Sequence, residues 1–249
     1  MTQTLSADTR VPIRVPKTLI IWIIISALLV QASLLWIALK TPADVNLGIV
    51  QKIFYFHVGS AFAMMLGLTA ASVMSLIDLI RPSDSADALA RSFLEVGVVF
   101  AFCVLTSGPL WARKSWGMYW TWEPRLTLVL LVTLLAVAVL ILRMLAKDST
   151  IGRRVGAAMA VMGAPASYLI HFAVKWWGGN HPQVIQGGGI QNSEMRVAFW
   201  LAVVAILSSA AVLVATRYRA IRLQQRTQAL ALRLSARVLR RQRAPMETS

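Results

Sequence analysis

The chain is short of acidic residues, cysteine and histidine, and each scarcity removes a class of function. Ten Asp and Glu stand against 25 Lys and Arg in 249 residues, a formal charge of +15, and only 14% of the residues are charged. A soluble domain carries about a quarter of its residues charged, so this chain is not a soluble enzyme. The single cysteine, Cys103, lies inside an apolar run and excludes an intrachain disulfide. No G-x-x-x-x-G-K-[ST] is present to cradle a nucleotide, and no serine sits in a recognisable nucleophile motif. Gly187-Gly188-Gly189 follows no strand and opens no helix, so it is a loop and not a dinucleotide fingerprint.

What is abundant is apolar sequence, 57% of the chain. It falls in six blocks of about 20 residues, the length that crosses a bilayer: Thr18–Leu39, Phe56–Ile80, Phe93–Leu110, Leu126–Ala146, Val155–Val174 and Val197–Thr216. Lipid offers no hydrogen-bond partner to a backbone, so each block must be helical. The expected fold is therefore all-α, a polytopic integral membrane protein with six transmembrane helices. The first block is too long for a removed signal peptide and lacks a small-residue cleavage site, so it reads as retained.

Lys and Arg set the orientation. With both termini cytoplasmic, 18 of the 25 fall on inner flanks and seven on outer ones, and short inner loops attract the positive charge. Three outer segments result, 40–55, 111–125 and 175–196. The carboxylates Asp78, Glu95 and Asp148 fall toward the inner ends of the spans, and none is at mid-membrane, where a proton-coupled carrier would want one. Residues 1–216 read as the membrane domain. Residues 217–249 read as a basic tail whose Leu and Arg recur at helical spacing, suited to the anionic lipids of the inner leaflet. The basic residues thus track lipid, and nucleic acid is not an expected partner.

All three histidines, His57, His171 and His181, fall in the outer half on this topology. Neutral imidazoles on opposite sides of one plane can ligate haem iron axially; a helix-to-helix hydrogen bond is the plainer role, above all for His171 within a span. Four of the nine tryptophans crowd into residues 111–122. An interfacial belt spreads its tryptophans over many helix ends, and Trp22, Trp36, Trp176, Trp177 and Trp200 fit that description. A dense cluster suits stacking on a flat conjugated ligand. Arg113, Lys114 and Arg125 beside it could pair with carboxylates. A porphyrin with two propionates meets these requirements better than a quinone or a lipid head group. With no C-x-x-C-H in the chain, covalent attachment of haem to this protein is excluded.

The run from Trp116 through Gly-Met-Tyr-Trp-Thr-Trp-Glu-Pro-Arg-Leu to Thr127 resembles the tryptophan-rich WWD signature of haem-handling membrane proteins. Its Arg-Leu-Thr ending is similar to that of the CcmC family, haem exporter protein C of cytochrome c maturation. The stretch Phe54–Ala61 around His57 and the stretch His171–Trp177 leading to His181-Pro-Gln agree with the same family. Glu123 stands where the signature has Asp, Tyr119 replaces one Trp, and Gly59 occupies a position where Pro is expected.

The resemblance implies a protein of the bacterial inner membrane that binds haem b at the periplasmic face and delivers it to the haem chaperone CcmE. It would work beside an ABC transporter, CcmA and CcmB, and the small protein CcmD, binding without catalysing. By motif, His57 and His181 are the axial ligands of the iron. Trp116, Tyr119, Trp120, Trp122, Glu123 and Arg125 belong to the ring-holding segment, in which Glu123 is expected to pair with Arg125 or Lys114. Two alternatives stand beside this. A cytochrome c haem lyase of the WWD class is one, although such proteins carry more histidines than three. A carrier for another small molecule is the other, although the chain has no visible repeat and no sign of broken helices.

Overall fold

A computed structural model describes residues 15–146, 149–181, 190 and 192–243, with side chains as far as Ala236. Arg10, Arg14, Lys147, Asp148, Pro182, Gln183 and the three glycines at 187–189 lie outside the described residues. In chain order the elements are α1 Lys17–Leu39, a short 3-10 turn at Ile49–Lys52, α2 Ile53–Ile80, α3 Asp84–Trp116, α4 Pro124–Leu145, α5 Thr150–Val161, α6 Gly163–Trp177 and α7 Ser193–Arg243. They make six passes long and apolar enough to cross a membrane, with α5 and α6 sharing the fifth. The protein is all-α and multi-pass.

Helix ends depart from the apolar blocks for local reasons. α3 starts at Asp84, well before Phe93, because the Ser83 side chain accepts the Ala86 N–H and Asp84 and Asp87 occupy the first turn. A capping hydroxyl and acidic groups at the positive end of the helix dipole stabilise polar turns that hydropathy does not register. At its other end α3 continues to Trp116 and stops at Gly117 in a left-handed conformation, φ 77°. The second connecting segment is therefore helical up to Trp116, and only residues 117–123 form a loop. α2 begins at Ile53, upstream of His57, and Gly59 lies within it against Ile206.

The fifth pass is broken, contrary to expectation. Pro165 has no N–H to return to the Val161 carbonyl and its ring opposes a continuous helix there. The Ser72 hydroxyl donates to that Val161 oxygen at 2.5 Å, so the freed acceptor is satisfied inside the protein. At the break Gly163 presses on α2, where a Cβ would lie 2.9 Å from the Leu68 carbonyl oxygen. α7 runs without interruption through the Thr216–Arg217 junction that divides the chain in sequence.

The packing makes a closed ring: α2 rests on α3, α3 on α4, α4 on α6, and α6 on α2. Its core holds Met64, Leu68, Leu94, Phe100, Val104, Val132 and Ile170. α7 packs against α2 and α3, and α1 lies outermost on α7, tied to it by a 2.9 Å bond between the Ser26 and Ser209 hydroxyls. One end of the ring is pinned by ion pairs: Arg153 to Asp78 at 2.5 Å, Arg143 to Asp87 at 2.5 Å, and Arg217 to Glu95. The Arg143–Asp87 pair is buried, so removing one partner would strand the other. The other end carries the histidines.

Candidate functional site

At the histidine end the four-helix ring opens into a cavity of about 230 Å³. A water occupies about 30 Å³, so this space is sized for an organic group and not for an ion. Phe54, Val58, Phe62 and Met65 of α2, Val104 and Leu105 of α3, Leu126 and Val129 of α4, and Phe199 of α7 give it apolar walls. His57, His171 and His181 all line it, with Trp111, Trp116, Trp120, Arg125 and Lys175.

His57 projects from the second turn of α2, and its Nδ1 lies 2.9 Å from the Ser107 hydroxyl of α3. His181 reaches the cavity from the chain beyond α6. That helix ends at Gly178, φ 76°, followed by Gly179, φ 139°, so two residues permissive of positive φ reverse the chain toward α4. Gly179 also makes room for a carboxylate: a Cβ there would lie 2.8 Å from Glu123 Oε2. That oxygen accepts the Asn180 N–H at 2.7 Å, while Glu123 Oε1 stands 3.9 Å from His181 Nδ1. The two imidazole centroids are 6.5 Å apart, with ring planes inclined by 43°. Trp116 meets His181 edge-on at 6.4 Å, and Trp111 meets Trp116 edge-on at 5.8 Å.

Burial drives the His181 pKa down to about 3, helped by the nearby Arg125 guanidinium and by His57. His181 is therefore neutral near pH 7, with a nitrogen lone pair to offer. Several buried polar atoms around the cavity lack a hydrogen-bond partner among the described residues: the indole nitrogens of Trp111 and Trp120, Arg125 Nε, His181 Nδ1 and Glu123 Oε1. Buried polar groups are ordinarily satisfied. Three of these, the two indole N–H groups and Arg125 Nε, are donors, and donors beside an apolar slot fit a flat ligand with acidic substituents.

The expected site residues divide. His57, His181, Trp116, Trp120 and Arg125 converge on the cavity. Tyr119 and Trp122 are 58% and 76% exposed and stand outside its lining. Glu123 bonds neither Arg125 nor Lys114; its carboxylate serves the His181 loop. Arg125 instead donates to the His171 carbonyl at 2.9 Å, bridging α4 and α6. Arg113 donates to the Gly117 carbonyl and lies over the Tyr119 ring, away from the cavity. Lys175 on the lining, and Ser107 and Gly108 against His57, were not marked in sequence, since nothing about them is unusual until their neighbours are known.

Fold and site together define a polytopic helical membrane protein with two imidazoles opposed across a tryptophan-lined cavity. A family model described as Heme exporter protein C matches residues 2–233. The chain belongs to that family. Among similar proteins, a Heme exporter protein C of Bradyrhizobium diazoefficiens is 31% identical over 170 residues, 68% of this chain and 65% of the relative. A protein of the same description from Escherichia coli K12 is 29% identical over 161 residues, 64% of this chain and 66% of the relative. Another from Paracoccus denitrificans is 27% identical over 156 residues, 63% and 65%. The chain spans just under two thirds of the length of these relatives.

Proposed function

We propose that the protein takes up haem b at the periplasmic face of the bacterial inner membrane and hands it to the haem chaperone CcmE for cytochrome c maturation. The observation that carries this is the opposed pair His57 and His181, 6.5 Å between centroids, in the lining of an apolar cavity. Metal–imidazole bonds are about 2 Å long, so one iron between two rings sets their centroids about 6 Å apart once the distance from nitrogen to ring centre is added. His57 and His181 are the axial ligands. Trp116 and Trp120 flank the ring, and Arg125 with Lys175 takes the propionates, the unpaired Arg125 Nε providing a charge-assisted donor.

Haem is cargo here. The protein binds and releases it without covalent chemistry, so it is not an enzyme. The outward-facing Tyr119 and Trp122 form an aromatic edge to which the chaperone docks. An ABC transporter of CcmA and CcmB, with CcmD, completes the complex and supplies the energy for release. The family match and the shared description of its relatives support haem handling, and the Lys and Arg bias supports the orientation.

The test is a visible absorption spectrum of the detergent-purified protein. A haem band is expected in the parent, weakened or shifted in both His57→Ala and His181→Ala and unchanged in His171→Ala. A parent free of haem after co-production with its partners, or variants with the parental spectrum, would sink the assignment.

A further inference from the structure

The geometry assigns Ser107 as a positioning residue that fixes His57 in its Nδ1–H tautomer and so turns the Nε2 lone pair toward the iron; this rests on His57 being a haem ligand. A serine hydroxyl has one hydrogen. Ser107 Oγ lies 2.6 Å from the Cys103 carbonyl, one turn back on α3, and that oxygen can only accept. With its proton committed there, Ser107 Oγ can only accept from the second neighbour, His57 Nδ1, at 2.9 Å. The imidazole proton is therefore on Nδ1. In a neutral ring the free lone pair is then on Nε2.

A second contact holds the ring in that pose. Gly108 follows Ser107 on α3, and a Cβ there would stand 3.1 Å from His57 Cε1, the carbon between the two nitrogens. One residue thus orients the ring by hydrogen bonding and the next by leaving space for its edge. Metal-binding histidines ordinarily owe tautomer and orientation to such a partner on the far nitrogen, and its loss lowers metal affinity about 10- to 100-fold. Here the partner is an uncharged hydroxyl of the neighbouring helix, whose oxygen accepts the Nδ1 proton. It fixes the ring without adding charge to an apolar wall.

The tautomer is measurable without haem. Full-length protein carrying 15N-labelled imidazole has only three histidines to resolve, and His→Gln variants assign them. In the haem-free protein the expected His57 spectrum is Nδ1–H. Ser107→Ala should shift it to a mixture or to Nε2–H, and Ser107→Thr, which keeps the hydroxyl, should restore it. Haem titration should then show affinity lowered roughly tenfold in Ser107→Ala and recovered in Ser107→Thr, with His171 unaffected throughout. A parent with Nε2–H at His57, or a Ser107→Ala protein with parental tautomer and affinity, overturns the assignment. If the tautomer responds as expected while His57→Ala and Ser107→Ala both bind haem like the parent, the tautomer lock stands. The iron-ligand role of His57 then falls, and the iron-facing half of the assignment falls with it.

Discussion

The two imidazoles of the cavity stand on unlike walls. His57 is on helix already formed upstream of it, bonded to Ser107 and seated over Gly108, beside the fully buried Tyr55. His181 is on chain that has just left α6, where among the described residues the Asn180 N–H donates to Glu123, and its Nδ1 stops 3.9 Å short of Glu123 Oε1. One imidazole belongs to packed scaffold, where opening is costly. The other lies outside regular structure, just past the end of α6. On the proposed role, cargo that must be both captured and surrendered is best served by one fixed and one adjustable imidazole, and both line the same cavity.

The largest effect comes from deleting each ring. His57→Gly and His181→Gly should each lower haem affinity about 100-fold or more, beyond what losing an outer-shell partner costs. Free imidazole added to the buffer should restore the spectrum of His181→Gly, whose wall can yield, and fail with His57→Gly. Equal rescue of the two would erase the contrast.

A smaller effect tests how dry the His181 wall is. In the unfolded chain a histidine binds its proton below about pH 6.5, whereas in the folded protein His181 does so only near pH 3. Between those values the unfolded state holds more protons, so folding stability falls as pH is lowered through that window. The melting temperature of the haem-free protein should drop between pH 7.5 and 5, and His181→Gln should flatten the drop. A drop indifferent to that substitution would put this imidazole in water.

The smallest change in haem binding is expected from residues that sequence alone could not separate from the cavity set. Tyr119→Ala and Trp122→Ala should leave the haem spectrum and affinity within about twofold of the parent, because neither ring lines the cavity and isolated surface changes are usually within ±0.5 kcal/mol. Transfer of haem to the chaperone should slow in both. A shifted haem band in Trp122→Ala would extend the site beyond the lining seen here.

The six passes were legible because a bilayer demands apolar length and little else. Their ends were not, since Ser83 and Asp84 stabilise α3 by capping and dipole chemistry that a hydropathy window averages away. The break in the fifth pass was hidden because Pro165 lies in an apolar run, and its consequence depends on Ser72 of another helix being there to donate to the freed Val161 carbonyl. Within the site, His57, His181, Trp116, Trp120 and Arg125 were marked because such residue types are scarce or clustered beside lipid. Tyr119 and Trp122 could not be told from Trp116 and Trp120, as residues 117–123 form a loop without the periodicity that assigns a face. Ser107 and Gly108 passed as ordinary span residues; the Ser-Gly-Pro run at 107–109 within an apolar block was the one sign available.

α7 has a mechanical consequence. Its 51 residues make a rod of about 76 Å at 1.5 Å per residue, more than twice the roughly 30 Å hydrocarbon thickness. Phe199, near one end, is part of the cavity wall. Farther along, the Arg217–Glu95 pair, the buried Ile221 side chain and the Gln225 bond to the Asp84 carbonyl clamp the rod to the bundle. Beyond that clamp it carries no further packing among the described residues. An unbroken helix resists bending, so α7 is one stiff piece that joins the cavity wall at Phe199 to the segment beyond Gln225.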